Sequence, residues 1–338
     1  MKAKHEHKVS AWKVGTLWLI LLAALAVMSV VALAVGSAGY SVGEILRALF
    51  SGEKSTAKVI VINLRLPRLL LAIMIGASLS AAGALLQSVM RNPLADPGTI
   101  GVSAGAGTAA TTILLLFPAM TNAVPLFAFG GAALACFLIY SMAWKGGVDP
   151  VRIILSGVAI NAVLGAYNSL LQMLHADSLE GVLAFMNGSL SGRSWVQVRT
   201  LAVYAGVGLA LAFLCVRSAN ILQLGDEMAK SLGVKVSLCR VCLSAVSAFL
   251  AAATVSVAGM IGFVGLVVPH IARLLVGSDY KAMLPTSVLL GAVVLLAADT
   301  VGRTVVPGME IPVGIVMSVT GGPFFLYMLR KKGNVRGH

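Results

Sequence analysis

Long runs without charge alternate with short polar segments along the whole chain. A helix needs roughly 20 apolar residues to cross the hydrocarbon core of a membrane. Each of the longer runs therefore predicts at least one transmembrane helix. The runs free of Asp, Glu, Lys and Arg are residues 14–43, 69–90, 98–144, 153–174, 200–216, 241–272, 282–298 and 311–329.

Two of these runs are long enough to hold two helices each. Residues 98–144 contain Pro118 and Pro125, which bracket the expected turn. Residues 241–272 as one helix would be roughly 48 Å long, well beyond a hydrocarbon core of about 30 Å. Three glycines between residues 259 and 265 offer a break there. The pattern thus predicts an all-α polytopic membrane protein with about ten transmembrane helices.

The polar segments are too short for a soluble domain. The longest are residues 44–68, 175–199 and 217–240, and each has room only for a loop or a short helix. The first apolar run is much longer than the 7–15-residue core of a cleaved signal peptide, so we expect it to be kept as the first helix. Residues 1–338 are therefore expected to form one transmembrane domain, with a short cytoplasmic tail at residues 1–13.

Composition and charge agree with that prediction. Apolar residues make up 59% of the chain and charged residues 11%, whereas soluble domains carry about 25% charged residues. With ten spans and the N-terminus in the cytoplasm, most of the 25 Lys and Arg residues fall in cytoplasmic segments, as the positive-inside rule requires. This orientation puts both termini inside. Basic loops beside an anionic leaflet explain the net charge of +13, and no nucleic-acid partner is expected.

The sequence offers no enzyme chemistry of its own. The phosphate-binding pattern G-x-x-x-x-G-K-[ST] is missing, so the chain cannot bind ATP by that route. Cys239 and Cys242 have the spacing of half a zinc site, but no second pair or nearby His completes it. We therefore predict no catalytic residue, no metal site and no cofactor on this chain.

Two arginines precede the second predicted span. Arg65 and Arg68 belong to the segment RLPR and lie on the outer side in the predicted topology. The guanidinium fork is always charged and suits pairing with carboxylates. The two side chains either project as a rigid positive knob or extend along the membrane interface as long basic side chains do.

A second polar segment, GDEMAKSLGV at residues 225–234, falls in the long inner loop before the seventh span. Asp226 is a suitable N-cap and Gly233 a suitable C-cap for about two turns of helix. Met228 and Leu232 are spaced i, i+4 and share one face. Such a helix either docks into a cytoplasmic partner or lies on lipid.

Polar residues inside spans are costly and mark sites or helix contacts. Asp299 and Arg303 are spaced i, i+4, which lets them pair, or leaves Arg303 at the outer helix end to meet a partner. Asn161, Asn168 and Gln172 lie near one face of the fifth span, and Gln87 lies near the end of the second. These four amides either hold helices together or line a translocation pathway.

Taken together, the segments resemble the FecCD-type permeases, which are membrane subunits of ATP-binding-cassette (ABC) importers for siderophores, haem and cobalamin. RLPR, NPLADPG, GDEMAKSLGV, GLVVPHIARL and EIPVG followed by TGGPFF occur in the family's order. The resemblance covers about residues 58–330.

This resemblance implies a type II importer fold in a bacterial inner membrane, with alternating access driven by ATP. It implies two ATPase subunits that carry ATP and Mg²⁺, a periplasmic or lipid-anchored binding protein, and a second permease copy, most simply an identical one. By the match, Arg65, Arg68 and Arg303 are binding-protein docking residues. The coupling helix that seats on the ATPase corresponds to Asp226, Glu227, Met228, Ala229, Lys230, Ser231, Leu232 and Gly233.

Two other classes were weighed against an importer subunit. An ion-coupled secondary transporter would need a buried, unpaired carboxylate, and Asp299 is the candidate for it. A membrane-embedded enzyme would need clustered His, Asp or Glu within spans, and the spans lack such clusters. The resemblance implies an iron chelate, either a ferric siderophore or haem, as the substrate, with cobalamin as the alternative. It does not distinguish a homodimer from a heterodimer.

Overall fold

The computed structural model describes residues 10–36, 40–50, 55–145, 147 and 149–333. Its regular elements within these residues are helical. The first half contains α1 (Ala11–Ala34), α2 (Val42–Phe50), α3 (Thr56–Ile60), α4 (Leu66–Met90), α5 (Val102–Leu116), α6 (Val124–Ala143) and α7 (Pro150–Leu174). The second half contains α8 (Glu180–Met186), α9 (Trp195–Leu214), α10 (Val216–Gln223), α11 (Asp226–Ser231), α12 (Val236–Ala258), α13 (Val264–Val276), α14 (Tyr280–Gly302) and α15 (Val313–Gly333).

The prediction of about ten spans is confirmed. Seven helical stretches of the described residues are long and apolar enough to cross a membrane, and three shorter apolar helices accompany them. The shorter ones include α5 and α13, which come from the two runs that were predicted to divide. The expected N-terminal tail is shorter than residues 1–13, because α1 already begins at Ala11; residues 1–9 lie outside the described part.

Helix α4 is the centre of the bundle. It packs against α9, α12, α13 and α14, and 83% of the most apolar part of its span is buried. A π-helical turn at Val61–Arg65 joins it to α3. Pro67 explains this turn, because proline has no N–H to donate and its ring clashes with the carbonyl four residues earlier. The wider turn lets the chain continue as one helix of 35 residues.

Glycine allows α4 to touch its neighbours backbone to backbone. A Cβ atom added at Gly83 would lie 1.9 Å from the carbonyl oxygen of Gly265 on α13. A Cβ atom at Gly76 would lie 2.2 Å from the carbonyl oxygen of Gly291 on α14. Lipid tails are as apolar as the helices, so apolar burial does not drive helices together in a membrane. Close packing of small residues supplies the attraction instead.

The break between α12 and α13 is the most irregular backbone inside the bundle. Phe263 has φ +67°, a left-handed conformation that is uncommon for an aromatic residue. Its ring packs over Gly321 of α15. The freed backbone groups find partners at the end of α8 and in the segment that follows it. Met260 donates to the Phe185 carbonyl at 2.9 Å, and Ser189 donates to the Ala258 carbonyl at 2.8 Å. This break is stable because a second irregular segment satisfies it.

The contact between Gly83 and Gly265 leads to a test of the packing. We expect Gly83→Ala to lower the free energy of unfolding by about 1–3 kcal/mol, the usual cost of overpacking, because its methyl group meets a backbone carbonyl that cannot move alone. Gly206→Ala on α9 is the matched control, since nothing lies within 4 Å of its added Cβ atom. Thermal unfolding in detergent measures both. Equal melting temperatures for the two variants would contradict the close approach.

Candidate docking, coupling and translocation sites

A buried carboxylate organises one end of the bundle. Asp299 on α14 has a side chain that is 2% exposed. The single N–H at Nε of Arg68 is shared between the two carboxylate oxygens of Asp299 at 3.0 and 3.1 Å, and Nη2 of Arg68 donates to Oδ1 at 3.0 Å. Arg68 also donates through Nη1 to Glu310 at 2.8 Å. One guanidinium therefore joins α4 to α14 and to the segment that follows α14.

Two further arginines join the same end to α1. Arg303 lies with Nε 3.4 Å from the Asp299 carboxylate and donates from Nη2 to the Ala32 carbonyl at 3.1 Å. Arg65 donates from Nη1 to the carbonyls of Leu33 and Ala34 at 2.5 and 3.0 Å. These carbonyls end α1 and have no partner within the helix, so the two cations satisfy them and complement the helix dipole.

The expectation of a projecting knob is wrong for this conformation. The side chain of Arg68 is 12% exposed and that of Arg303 is 8% exposed, and Arg65 is buried. The expectation that Arg303 is left free is also wrong, because Asp299 and Ala32 both engage it. The i, i+4 pairing of Asp299 with Arg303 is present, but Arg68 is the stronger partner of Asp299.

Glu310 is the member of this cluster that the sequence did not single out. Its side chain is 47% exposed, and its only described ion pair is with Arg68. Burial acts to raise the pKa of Glu310, but the hydrogen bond and charge of Arg68 outweigh it and hold the pKa below its ordinary value. Glu310 is therefore ionised at neutral pH, and the pair is lost only as pH falls through that lowered pKa. Three arginines and two carboxylates leave the cluster with one excess positive charge.

The short helix α11 lies at the other end of α4. It starts one residue earlier than an N-cap at Asp226 implies: Gly225, with φ +101°, is the N-cap, so the predicted N-cap role of Asp226 is wrong. Asp226 instead accepts from Arg240 of α12 at 2.8 Å and lies 3.9 Å from Arg91, which ends α4. Its charge in the first turn also complements the helix dipole. Gly233 follows the helix with φ +76°, as the predicted C-terminal glycine requires.

The outward face of α11 is apolar at its centre. Ala229 is fully buried and holds the helix against the bundle, whereas Met228 is 56% and Leu232 is 58% exposed. Glu227, Lys230, Ser231 and Gly233 are exposed around them. The result is a small, rigid surface with an apolar centre and a charged edge, the arrangement typical of a protein contact.

The distance between the two sites follows from α4. Arg68 lies at its first turn and Arg91 directly follows its last residue, so the two ends are roughly 35 Å apart at 1.5 Å per residue. That distance matches the thickness of a bilayer core with part of its interfaces. The arginine cluster and α11 therefore lie at opposite ends of the bundle.

The four predicted pathway amides mostly hold helices together. Gln87 is 2% exposed and donates to the carbonyls of Gly265 and Leu266 at 3.3 and 3.2 Å. Asn161 donates to the Gly98 carbonyl at 3.4 Å, and Asn168 donates to Thr108 at 3.1 Å.

Gln172, the fourth of these amides, is half-buried. The sequence left two roles open, and the contacts favour packing for Gln87, Asn161 and Asn168.

Comparison with known proteins gives a consistent answer. A model of the FecCD transport family matches residues 22–331. The Fe(3+)-citrate import system permease protein YfmD of Bacillus subtilis is 42% identical over 304 residues, which cover 90% of this chain and 91% of that protein. The cobalamin import system permease protein BtuC of Halobacterium salinarum is 43% identical over 282 residues, which cover 83% of this chain and 76% of that protein.

A solved structure agrees with these relatives. An inward-facing conformation of a metal-chelate type ABC transporter superimposes with a TM-score of 0.76 and 28% identity, covering 94% of this chain and 99% of that one. The expected type II importer fold is thereby confirmed. The chain belongs to the FecCD transport family and is a non-catalytic, multi-pass permease subunit of a binding-protein-dependent ABC import system.

Proposed function

We propose that this permease carries a ferric chelate across the bacterial inner membrane, and that both termini of the chain are cytoplasmic. The observation that carries the proposal is the pair of built surfaces at opposite ends of α4, an arginine cluster at one end and α11 at the other. Two relatives at 42% and 40% identity belong to Fe(3+)-citrate import systems. Cobalamin is the second candidate, because the Halobacterium relative belongs to a cobalamin system.

The arginine end is proposed to receive the substrate-binding protein. The one excess positive charge of the cluster favours an acidic partner. Glu310 is the exposed member, so a carboxylate of the docking protein can replace it on Nη1 of Arg68 while Asp299 stays in place. Docking then exchanges one carboxylate for another and leaves no buried cation unpaired, which keeps its cost low.

The other end is proposed to seat on the ATPase. Met228 and Leu232 supply the apolar contact, and the ion pairs of Asp226 with Arg240 and Arg91 fix α11 to α12 and α4. A movement of α11 is therefore passed to the two central helices rather than absorbed by a loop. ATP and Mg²⁺ belong to the ATPase subunits, two for each transporter, and this chain binds no cofactor.

A second permease copy is proposed to cover α7. Only 17% of its most apolar part is buried within the chain, and Val158, Val163 and Met173 are 65%, 69% and 81% exposed. An identical copy is the simplest partner, and the pathway would then run between the two copies. Alternating access follows when the two bundles rock against each other.

Ion-coupled secondary transport is not supported by the described residues. Such a mechanism needs a carboxylate that exchanges a proton or Na⁺ during the cycle. Asp299 was the candidate, and it is held by Arg68 and Arg303 in a site that is closed to solvent. A carboxylate that two guanidinium groups hold in this way is not available to exchange an ion with solvent.

The proposed substrate is tested by uptake in cells. We expect radiolabelled ferric citrate uptake to disappear when this chain is deleted and to return with the wild-type chain, provided that the ATPase and binding protein are present. Cobalamin and haem uptake measured in the same strains distinguish the other substrates. Uptake that persists with a catalytically dead ATPase would show that ATP does not drive transport.

The coupling surface is tested with a charge placed at its centre. We expect Met228→Asp to weaken binding of the ATPase to the permease at least tenfold, because a buried interface contact becomes a charge without a partner. Met309→Asp is the matched control, since Met309 is 64% exposed at the opposite end. Binding in detergent measures both variants. Equal affinity for the two would argue against α11 as the ATPase contact.

The exchange at Arg68 is tested through Glu310. Charge reversal of Arg65 or Arg68 would disturb folding, because both lie in the buried cluster. Glu310→Gln instead removes only the exposed competitor, so we expect the binding protein to dock about two- to fivefold more tightly, a change of under 1 kcal/mol as for other exposed pairs. Surface plasmon resonance with the permease in nanodiscs measures the affinity. Weaker or unchanged docking would rule out the exchange.

A further inference from the structure

One arginine at the outer end has no partner in the described structure. Arg193 lies in the segment between α8 and α9 and is half-buried. Its Nε atom is shielded from solvent and makes no hydrogen bond, and no described side chain or carbonyl pairs with its guanidinium. Burial lowers the pKa of Arg193, and no described acidic group offsets that effect. A guanidinium nevertheless stays charged, so this is a partly buried, uncompensated cation.

The other arginines that are similarly withdrawn from solvent are all engaged. Their partners are carboxylates, amide oxygens or the carbonyls at a helix end. The pairs are Arg65 with Leu33 and Ala34, Arg68 with Asp299 and Glu310, Arg240 with Asp226, Arg273 with Gln87, and Arg303 with Asp299 and Ala32. Leaving a cation unpaired in such surroundings costs free energy, and the fold avoids that cost elsewhere.

The segment that contains Arg193 is fixed to the break between α12 and α13 and to α15. The same segment donates from Ser189 to the carbonyl at the end of α12, and Gly188 accepts from Gly314 at the start of α15 at 3.2 Å. Ser191, in the same segment, acts on the carboxylate of Glu310 and helps to lower its pKa, so this part of the segment lies beside the arginine cluster. Trp195, two residues after Arg193, donates from Nε1 to the Ile62 carbonyl at 3.0 Å, just before Arg65. Arg193 therefore lies at the end of the bundle that carries the cluster.

Arg193 is nevertheless separate from the cluster. The charges that act on Glu310 and Arg303 come from the other members of the cluster, and Arg193 is not among them. A broad protein surface can reach an exposed group such as Glu310. Nε of Arg193 is shielded, so the Nη groups of this half-buried side chain are the part that a small ligand can reach. Carboxylates match the planar guanidinium with two parallel hydrogen bonds.

We propose that Arg193 binds a carboxylate of the iron chelate as the chelate enters from the binding protein. This inference rests on the proposed function and narrows its substrate class. It selects ferric chelates with free carboxylates, such as ferric citrate, over neutral hydroxamate chelates and cobalamin. A single bidentate contact orients the chelate at the entrance, and it is weak enough to release the chelate into the pathway.

The test uses the complete importer, with its ATPase and binding protein, reconstituted in liposomes. We expect Arg193→Gln to lower the rate of ferric citrate import about tenfold, the loss typical of one charge-assisted contact, while docking of the binding protein is unchanged. Arg193→Lys should keep part of the rate. Arg199→Gln removes the same charge from an exposed position six residues later and should import as the wild type does. Thermal unfolding confirms that each variant is folded.

Each outcome decides the matter. Import by Arg193→Gln at the wild-type rate would overturn the assignment. A parallel loss of docking affinity would also overturn it, because the carboxylate would then belong to the binding protein. Failure of the wild-type importer to move any ferric chelate would reject the proposed function and this inference together. Failure of the wild-type importer is distinguishable from failure of the Arg193 inference alone, because it is seen with the wild-type protein before any variant is compared.

Discussion

The arrangement of the end that carries the arginine cluster depends on one carboxylate. Asp299 is almost inaccessible, and a buried carboxylate is tolerated only when cations and hydrogen bonds surround it. Arg68 and Arg303 meet this need and, in doing so, bring α4, α14 and the end of α1 to fixed positions. The second carboxylate of this cluster, Glu310, is 47% exposed, so its contact with Arg68 is open to solvent. The end therefore combines a buried ion pair with an exposed one, and both pairs share the guanidinium of Arg68.

Much of the fold could be predicted from where charge is missing. Runs without charge located the spans, and the proline pair at 118 and 125 and the glycines near 260 correctly divided two of them. Lipid imposes this regularity, because backbone groups must be satisfied within each helix. The break before α13 was predicted, but the left-handed Phe263 was not, since nothing local in the sequence distinguishes it from a helical residue.

The positions of the candidate sites along the chain could be predicted, but the partners and the exposure of their side chains could not. The arginines and the α11 segment were found, and they lie at opposite ends as expected. Their exposure was misjudged, because a single sequence does not say that Arg65 reaches the carbonyls that end α1 or that Glu310 lies beside Arg68. Such pairs are separated by tens to hundreds of residues and arise only when the helices pack. Arg193 could not be singled out from sequence for the same reason, because what distinguishes it is that no described side chain pairs with its guanidinium.

The central position of α4 has a mechanical consequence. The helix is continuous, deeply packed and joined by ion pairs at both ends, so it resists bending, and its closest backbone contacts are at Gly76 and Gly83. A tilt of about 10° around those contacts would move each end by roughly 3 Å in opposite directions, given a half-length of about 18 Å. In a helix this stiff, a displacement at one face of the membrane would therefore require an opposite displacement at the other.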